Sequence, residues 1–341
     1  MITQIIIFDT DSIIKAAQII IAWEVIAFPT ETIYGLFADA TNPDAVSKIF
    51  IAKNRPSDNP LIVHFAHASD ISHYASIENH IQQLLIDKFM PGPFTLVLPK
   101  KDIIPYITTG NLETVCVRIP DNILSQQLIA SLGVPLAWPS ANLSWRPSPV
   151  SAKMVMKDMN GRIPLILDWW KSLYGIESTV VKVSQYNNNY VISILRPWFI
   201  TKEDIEDLVW DTVTVLYNDK WINESPWTRY RHYSPQSHIQ LINTIDDVDL
   251  KNVHISGNKY ALIATTQFLS DNITFIEKIH THYSLTIMPL GSSYNLAECA
   301  QNLYQLYATC DELSIDTIFI QALPEEGIWY ALMNRIRKSV S

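Results

Sequence analysis

Two cations, an amide and an imidazole lie within twelve residues of one another, between Lys53 and His64. Lys53 and Arg55 follow a segment with apolar residues at helical spacing, and Asn59 lies in the turn Pro-Ser-Asp-Asn-Pro. Arginine offers a bidentate fork to phosphate or carboxylate, whereas lysine offers a point charge. The spacing therefore predicts a grip on an anionic, phosphorylated ligand, although cations at a helix end are also favoured for structural reasons.

Hydroxyl and carboxyl side chains follow an earlier apolar segment, residues 25–28. Glu31 and Thr32 crowd the turn after it and suit either a small polar substrate or ordinary turn formation. His64 closes the apolar run 61–63, where a lone histidine is more often a satisfied core residue than a ligand.

Arg118 interrupts the apolar run Val-Cys-Val-Arg-Ile. A charge inside such a strand needs a specific anionic partner, because burial of an unpaired charge is costly. The partner is either an acidic substrate or a carboxylate of the protein in a structural ion pair.

Further motifs occur in a fixed order along the chain. They are residues 27–36, 89–98 (with Pro-Gly-Pro-Phe-Thr), 115–120, 139–142 (Pro-Ser-Ala-Asn), 147–149, 177–180, 195–197 and 230–235 (Tyr-Arg-His-Tyr-Ser-Pro). With these motifs in this order, the chain resembles the threonylcarbamoyl-AMP synthase family, also called the YrdC-like proteins. The last motif is typical of the long, two-domain members of that family. The resemblance covers most of residues 10–235.

The resemblance implies an ATP-dependent nucleotidyltransferase. L-threonine and bicarbonate would give N-carboxythreonine, which attacks the α-phosphate of ATP to form threonylcarbamoyl-AMP and pyrophosphate. A separate tRNA-side transferase complex would carry the group to adenosine 37 of tRNA. Such a reaction needs alignment and charge neutralisation more than a strong base.

The resemblance also implies roles for individual residues. The residues expected to be catalytic are Lys53, Arg55 and Arg118. Those expected to contact threonine are Thr32, His64, Arg118, Trp138 and Ser178. Those expected to contact ATP are Arg55, Asn59, Thr114, Ser140, Asn142, Ser148, Arg196 and Tyr233.

No protein ligand to a metal is predicted. Mg²⁺ would arrive with ATP, held largely by phosphate oxygens and water. Asp39 and Glu31 are candidates for acidic groups that lie near the ion but beyond its direct ligands. Tyr233 belongs to a segment that would fold over the site and exclude water, or would otherwise be a solvated linker.

Composition limits the alternatives. The net charge of −9 argues against broad binding of nucleic acid, so direct tRNA binding stays open and a non-catalytic YrdC-like RNA-binding protein is the weaker alternative. Another carbamoyl-adenylate enzyme, of the hydrogenase-maturation kind, is disfavoured because the three cysteines form no zinc-ligand spacing. No membrane span or signal peptide is predicted, and a reduced cytoplasm fits best.

These residues need an α/β scaffold to position them. Residues 1–205 are predicted to form a YrdC-like catalytic domain with a twisted mixed sheet, and 206–237 a linker. Residues 238–341 are predicted to form a smaller Rossmann-like α/β domain, with strands at 238–241, 260–264, 273–276, 285–288 and 317–321 and helices at 294–310 and 328–337. This domain has no G-x-G-x-x-G fingerprint, so no dinucleotide is predicted there.

The chain has only 9 glycines but 10 tryptophans. Average usage would give roughly 24 glycines in a chain of this length. The family pattern has glycine where this chain has Trp145, Trp169, Trp170, Trp198, Trp227, Trp329 and also Trp23, and a small residue at position 138. Either this member uses tryptophan in its loops, or these positions are glycines read from a codon that the printed translation renders as tryptophan.

Overall fold

The computed structural model describes residues 1–7, 9–169, 172–186, 189–209, 213–217, 234–248, 250, 258–280, 283–325 and 327–340. The chain divides into two compact units, one of Met1–Ser144 with Ser148–Tyr230 and the other of Trp145–Pro147 with Arg231–Ser341. Most of the predicted linker, 206–237, lies outside the described residues, and the predicted domain bounds stay predictions.

The strands described in the first unit belong to one sheet. They are β1 (Gln4–Ile7), β2 (Ile26–Pro29), β3 (Tyr34–Asp39), β4 (Ile62–His64), β5 (Phe94–Pro99), β6 (Thr114–Arg118), β7 (Leu136–Ala137), β8 (Leu165–Asp168), β9 (Thr179–Tyr186), β10 (Asn189–Arg196) and β11 (Val213–Tyr217).

The sheet contains both parallel and antiparallel pairs, in the strand order β1-β8-β2-β3-β7-β4-β6-β5-β9-β10-β11. For example, β4 pairs parallel with β6 and antiparallel with β7. The predicted mixed sheet is therefore confirmed. The strand β3 is an addition to the predicted elements: the chain reverses within 30–33 and pairs back on β2.

Helices cover both faces of the sheet. They are α1 (Thr10–Ile21), α2 (Pro43–Lys53), α3 (Ala68–Tyr74), α4 (His80–Phe89), α5 (Tyr106–Thr109), α6 (Ile123–Leu132), α7 (Ala152–Met159) and α8 (Lys202–Glu206). Successive residues of β2 show the two faces: Ala27 packs in the core that holds α2, while Ile26 and Phe28 pack in the core that holds α1 and α6.

Local sequence sets the bounds of α2. The Asn42 side chain accepts hydrogen bonds from the amides of Asp44 and Ala45, and Pro43 occupies the first helical position. The helix ends at Asn54, which takes the left-handed conformation (φ 51°) that asparagine tolerates. This stop places Lys53 at the helix end, beside the site described below.

The second unit is a smaller α/β layer. Its described strands are β12 (His238–Ile242), β13 (Tyr260–Thr265), β14 (Leu285–Gly291) and β15 (Thr317–Gln321), all parallel in the order β12-β15-β13-β14. Its helices are α9 (Thr266–Asp271), α10 (Ile273–His280), α11 (Leu296–Leu313) and α12 (Gly327–Val340), and a short 3-10 turn spans Ile245–Asp247. The predicted small parallel α/β fold is confirmed.

One predicted strand of this unit is wrong. The apolar and β-branched residues 273–276 predict a strand, but in the structure they begin α10. The parallel pair β13 and β14 explains the error, because a parallel connection needs a crossover, which here is helical.

The described residues contain no helix long and apolar enough to cross a membrane.

Candidate active site

The ends of several strands converge at one edge of the large sheet. β4 ends at His64 and its parallel neighbour β6 ends at Arg118, and these two residues are direct partners in the register. Trp138 follows β7, which pairs on the other side of β4. β10 ends at Arg196, and Ser178 immediately precedes β9 beside it.

These strand ends enclose a cavity. Its lining includes eight of the predicted site residues: Thr32, Arg55, His64, Arg118, Trp138, Ser140, Ser178 and Arg196. The cavity measures only about 20 Å³. A single water needs about 10–15 Å³ by this measure, so the cavity as it stands is too small for an amino acid.

Arg118 is buried, and each nitrogen of its guanidinium contacts one acceptor. Its Nε donates to the Gly92 carbonyl at 3.1 Å and Nη1 to the Thr32 hydroxyl at 3.2 Å, while Nη2 forms an ion pair with Glu31. Both charged side chains are almost fully buried, 3% and 1% exposed. Arg118 therefore has a carboxylate partner from the protein, which is the structural ion pair that was one of the two alternatives for this residue.

The turn before β3 is held by its own hydroxyls. Thr30 Oγ1 donates to the Ile33 carbonyl at 2.7 Å and lies 2.9 Å from Thr32 Oγ1. This network fixes Thr32 against Arg118, on the wall of the cavity. Glu31 Oε1 also accepts the backbone amide of Asp121 at 3.0 Å, so Glu31 ties the turn to the end of β6.

His64 is fully buried, and burial together with the Arg118 charge holds its pKa well below the usual range. Its Nδ1 lies 3.2 Å from the Ile62 carbonyl, which can only accept, so the proton is on Nδ1. Nε2 has no hydrogen-bond partner among the described residues. The neutral ring thus presents an acceptor nitrogen for a ligand N–H or O–H.

Ser178 joins three strands. Its hydroxyl lies 2.7 Å from that of Thr95 on β5 and accepts from Nη2 of Arg196 at 3.0 Å, while its carbonyl accepts from Arg196 Nε at 2.8 Å. Thr95 lies in the motif 89–98 but is not among the predicted site residues. Its place between apolar residues in Phe-Thr-Leu-Val is the sequence signal that points to it, since such a hydroxyl is buried and needs a partner.

Lys53 holds the loop that contains Ser140 and Asn142. The ammonium donates to the Ser140 carbonyl, to the Asn142 carbonyl at 2.7 Å and towards Asn142 Oδ1 at 3.3 Å. Burial and the neighbouring Arg55 charge lower the pKa of Lys53 well below its usual range. Lys53 and Asn142 do not line the cavity, so here Lys53 positions the loop, and direct contact with phosphate stays a prediction.

Arg55 lies on the lining of the cavity and is held there by the turn that contains Asn59. Arg55 Nη2 donates to the carbonyls of Asn59, at 3.4 Å, and Pro60, at 3.2 Å. These bonds hold the guanidinium against the turn and leave it on the cavity lining. Ser140 lines the same cavity, and its buried Oγ has no hydrogen-bond partner in the described part of the chain.

Ser148 and Thr114 lie apart from the lining. Ser148 donates to Glu177 Oε1 at 2.5 Å and is fully buried. Thr114 begins β6, four residues from Arg118 at the far end of the strand, or about 13 Å along it. Tyr233 lies outside the described residues. Their contacts with nucleotide stay predictions.

The two acidic residues singled out from the sequence, Asp39 and Glu31, are engaged in contacts within the protein. Asp39 accepts from the amide and hydroxyl of Thr41 at 2.8 and 2.7 Å and therefore stabilises a turn. In the described ranges, no three His, Cys, Asp or Glu side chains are grouped to hold an ion.

The site combines buried cations, hydroxyls and one neutral imidazole in a small pocket at strand ends. Arg55, Arg118 and Arg196 are suited to carboxylate and phosphate groups, while Thr32, His64 and Ser178 are suited to the polar atoms of a small substrate. The arrangement defines an enzyme of the α/β class that binds small anionic ligands.

Comparison with known proteins identifies the family. The family model described as telomere recombination matches residues 18–197, and the model for the threonylcarbamoyl-AMP synthase C-terminal domain matches 200–341. The threonylcarbamoyl-AMP synthase of Bacillus subtilis is 36% identical over 96% of this chain and 92% of its own length. That of Pyrococcus abyssi is 33% identical over 95% and 92%.

A solved structure agrees with the sequence matches. The crystal structure of P. abyssi Sua5 in complex with L-threonine superposes with a TM-score of 0.86 at 32% identity, covering 100% of this chain and 98% of that one. The chain belongs to the two-domain threonylcarbamoyl-AMP synthase family.

Proposed function

We propose that this protein synthesises L-threonylcarbamoyl-AMP from L-threonine, bicarbonate and ATP, with release of pyrophosphate. The observation that carries the proposal is the cavity in which Thr32, His64, Arg118 and Ser178 face the same small volume. The full-length likeness to a structure that holds L-threonine supports the same conclusion.

Threonine would bind through its ionic and polar groups. Arg118 would take the carboxylate with its guanidinium, and the buried Glu31 beside it would hold that guanidinium in place. The free acceptor nitrogen of His64 would take the hydroxyl or amine hydrogen of the substrate. Ser178 and Thr32, each already fixed by a neighbouring hydroxyl, would complete the polar wall.

ATP would lie on the side of the cavity lined by Arg55, Ser140 and Arg196. The loop 140–142 would present the Ser140 hydroxyl and backbone to phosphate, and Lys53 would keep that loop in position. Asn59, Asn142, Ser148, Thr114 and Tyr233 would contribute further nucleotide contacts.

The reaction would then form two bonds in succession, a C–N bond and a P–O bond. The amine nitrogen of threonine forms a C–N bond with bicarbonate carbon and water leaves, which gives the carbamate. A carbamate oxygen attacks the α-phosphorus of ATP, the bond between the α-phosphorus and the bridging oxygen breaks, and pyrophosphate leaves. The closely spaced guanidinium groups stabilise the charge that develops at phosphorus.

Mg²⁺ would come with the nucleotide. The donor set fits this assignment, because the described acidic side chains near the cavity are engaged with Arg118, Ser148 or backbone amides. Phosphate oxygens and water would therefore supply the ligands, and the ion would neutralise the departing pyrophosphate.

The product would serve the tRNA modification at adenosine 37. A mixed anhydride of this kind hydrolyses readily, so a separate tRNA-side transferase complex would consume it in the same compartment, which we take to be the cytoplasm. The second unit would support closure or assembly.

The test is pyrophosphate release from ATP by the full chain. Release should require both L-threonine and bicarbonate and should stop with EDTA, while the thermal unfolding of the ligand-free protein stays unchanged by EDTA. Arg118→Lys should lose activity because a point charge cannot replace the fork, and Arg162→Lys, a cation that donates to the Ala52 carbonyl, is the matched control. Release that is independent of threonine would refute the proposal.

A further inference from the structure

Several tryptophans occupy positions whose geometry suits glycine. Of the five non-glycine residues with positive φ among the described residues, two are asparagines, one is serine and two are tryptophans. Asparagine is enriched in this conformation, whereas a bulky residue there is an outlier.

Trp23 forms the end of α1. Its amide donates to the Ile20 carbonyl at 2.8 Å and the Glu24 amide donates to the Ile19 carbonyl at 3.1 Å, the pair of bonds of a Schellman motif. The residue between them has φ 62°. The corresponding left-handed residue after α6 is Gly133, at φ 67°. The side chain of Trp23 is half exposed, so packing does not explain its presence.

Trp145 has φ 80° in the loop after the Ser-Ala-Asn turn. This value lies beyond the small left-handed region that L-residues visit and within the range that glycine takes freely. Its side chain is 40% exposed. As at Trp23, the backbone favours a residue without a Cβ.

Trp198 shows a different mismatch. It is 1% exposed, and its indole N–H has no acceptor among the described residues. Buried tryptophans normally find a partner for this donor. Trp198 follows Arg196 by two residues, so the unsatisfied indole lies in the segment next to a predicted nucleotide contact.

Trp138 fills the substrate cavity. Its ring lies between Phe37 and His64, with centroids 3.9 and 3.4 Å away and planes inclined by only 6° and 18°. Aromatic pairs prefer offset or edge-on contacts with centroids about 4.5–7 Å apart. The indole also packs against the backbone of Gly35, where a Cβ would lie 3.0 Å from Trp138 Cδ1. The ring therefore occupies space that the surrounding residues barely provide.

We propose that positions 23, 138, 145 and 198 are glycine in the protein as its own cells make it, and that the space left at position 138 is the threonine pocket. Without the indole, the cavity of about 20 Å³ would open beside the face of the His64 ring that the indole now covers. The second half of this inference rests on the proposed function, whereas the first half does not. A single codon that the cell reads as glycine and the printed translation reads as tryptophan would account for all four positions together.

The first half is tested on protein purified from its natural source. Mass spectrometry of the peptides that contain positions 23, 138, 145 and 198 should show glycine at each position. The mass should be lower than that calculated from the printed sequence by the difference between tryptophan and glycine for every such position in the peptide. Tryptophan masses at these positions would overturn the inference. The result does not depend on any activity.

The second half is tested by calorimetric titration of L-threonine into full-length protein in three forms. The first form has the printed sequence, and the second has glycine at 23, 138, 145 and 198. The second form should bind threonine at least tenfold more tightly than the first. The matched control is Trp138→Phe with the other three positions as glycine, which keeps a ring between Phe37 and His64 and should not gain affinity. Equal binding by all three forms would overturn the pocket assignment.

The two failures are distinguishable. If no form binds threonine, although thermal unfolding shows all three folded, then the pocket assignment and the threonine part of the proposed function fail together, and the peptide masses still decide the identity of the four residues. If the glycine form binds threonine but releases no pyrophosphate, the pocket assignment stands and the proposed reaction fails.

Discussion

At the residue scale, the ion pair between Arg118 and Glu31 is the most constrained contact of the site. Both side chains are almost fully buried, and Glu31 also accepts the Asp121 amide. Removal of one partner leaves a buried charge without compensation. Loss of either partner should therefore destabilise the fold, and in the proposed function it would also disturb the arginine that binds the threonine carboxylate.

Glu31→Gln should lower the free energy of unfolding by about 3–5 kcal/mol. Glu24→Gln is the matched control, because Glu24 pairs with Lys48 at 2.6 Å on the surface, with side chains 38% and 40% exposed. That surface pair is worth about 0–1 kcal/mol. Urea denaturation of both variants measures the difference, and equal costs would contradict the prediction.

His64 should make stability depend on pH. Its pKa in the folded protein lies well below the value of about 6.5 in the unfolded chain, so the unfolded state binds more protons below that pH. Stability from this group is present above about pH 6.5 and is lost as pH falls, by at most about 1.4 kcal/mol per pH unit. Urea denaturation between pH 5.5 and 8 should show a steeper loss for the wild type than for His64→Asn. Parallel profiles for the two proteins would refute this.

At the element scale, the junction of β5, β9 and β10 positions two site residues through one threonine. Thr95 Oγ1 lies 2.7 Å from Ser178 Oγ, and Ser178 in turn accepts from Arg196. Thr95 is fully buried and does not line the cavity. It is therefore a positioning residue that acts through Ser178.

Thr95→Val should raise KM for L-threonine about threefold to tenfold with a smaller effect on kcat, because a loss of about 1 kcal/mol in the hydrogen bond frees Ser178. Thr3→Val is the matched control, since the Thr3 hydroxyl donates to the Ile163 carbonyl at 2.6 Å at the far edge of the sheet. The control should lose similar stability with unchanged KM. A shift in KM for both variants would show that the effect is only structural.

At the scale of the whole molecule, charge governs the choice of partners. The net charge of −9 over 341 residues leaves no general attraction for a polyanion, while three arginines line one small cavity. Such a distribution favours a small anionic substrate over a nucleic acid.

We therefore expect the full chain to retain no tRNA in a filter-binding assay at micromolar protein and physiological salt, where non-specific binders have Kd of about 10⁻⁴–10⁻⁶ M. ATP binding by the same preparation is the control for active protein. Tight, salt-dependent retention of tRNA without ATP binding would favour the non-catalytic RNA-binding alternative.

The sequence by itself determined the local elements and the residue types of the site. Asn42, Pro43 and Asn54 fix the bounds of α2. The apolar run that His64 closes and the apolar run that Arg118 interrupts were both visible as patterns, because these features depend on near neighbours. The motif order was enough to indicate the family, since each motif is local.

Only the tertiary structure decided how those residues are used. The pairing of Arg118 with Glu31, the role of Lys53 in holding the loop 140–142 and the link from Thr95 to Ser178 join residues 83 to 89 positions apart. Contacts at such separations leave no periodic trace in the sequence. Likewise, residues 273–276 became helix because the parallel strands on either side needed a crossover. The fit of an indole between Phe37 and His64 was equally beyond the sequence, because it depends on the space between strands that only folding creates.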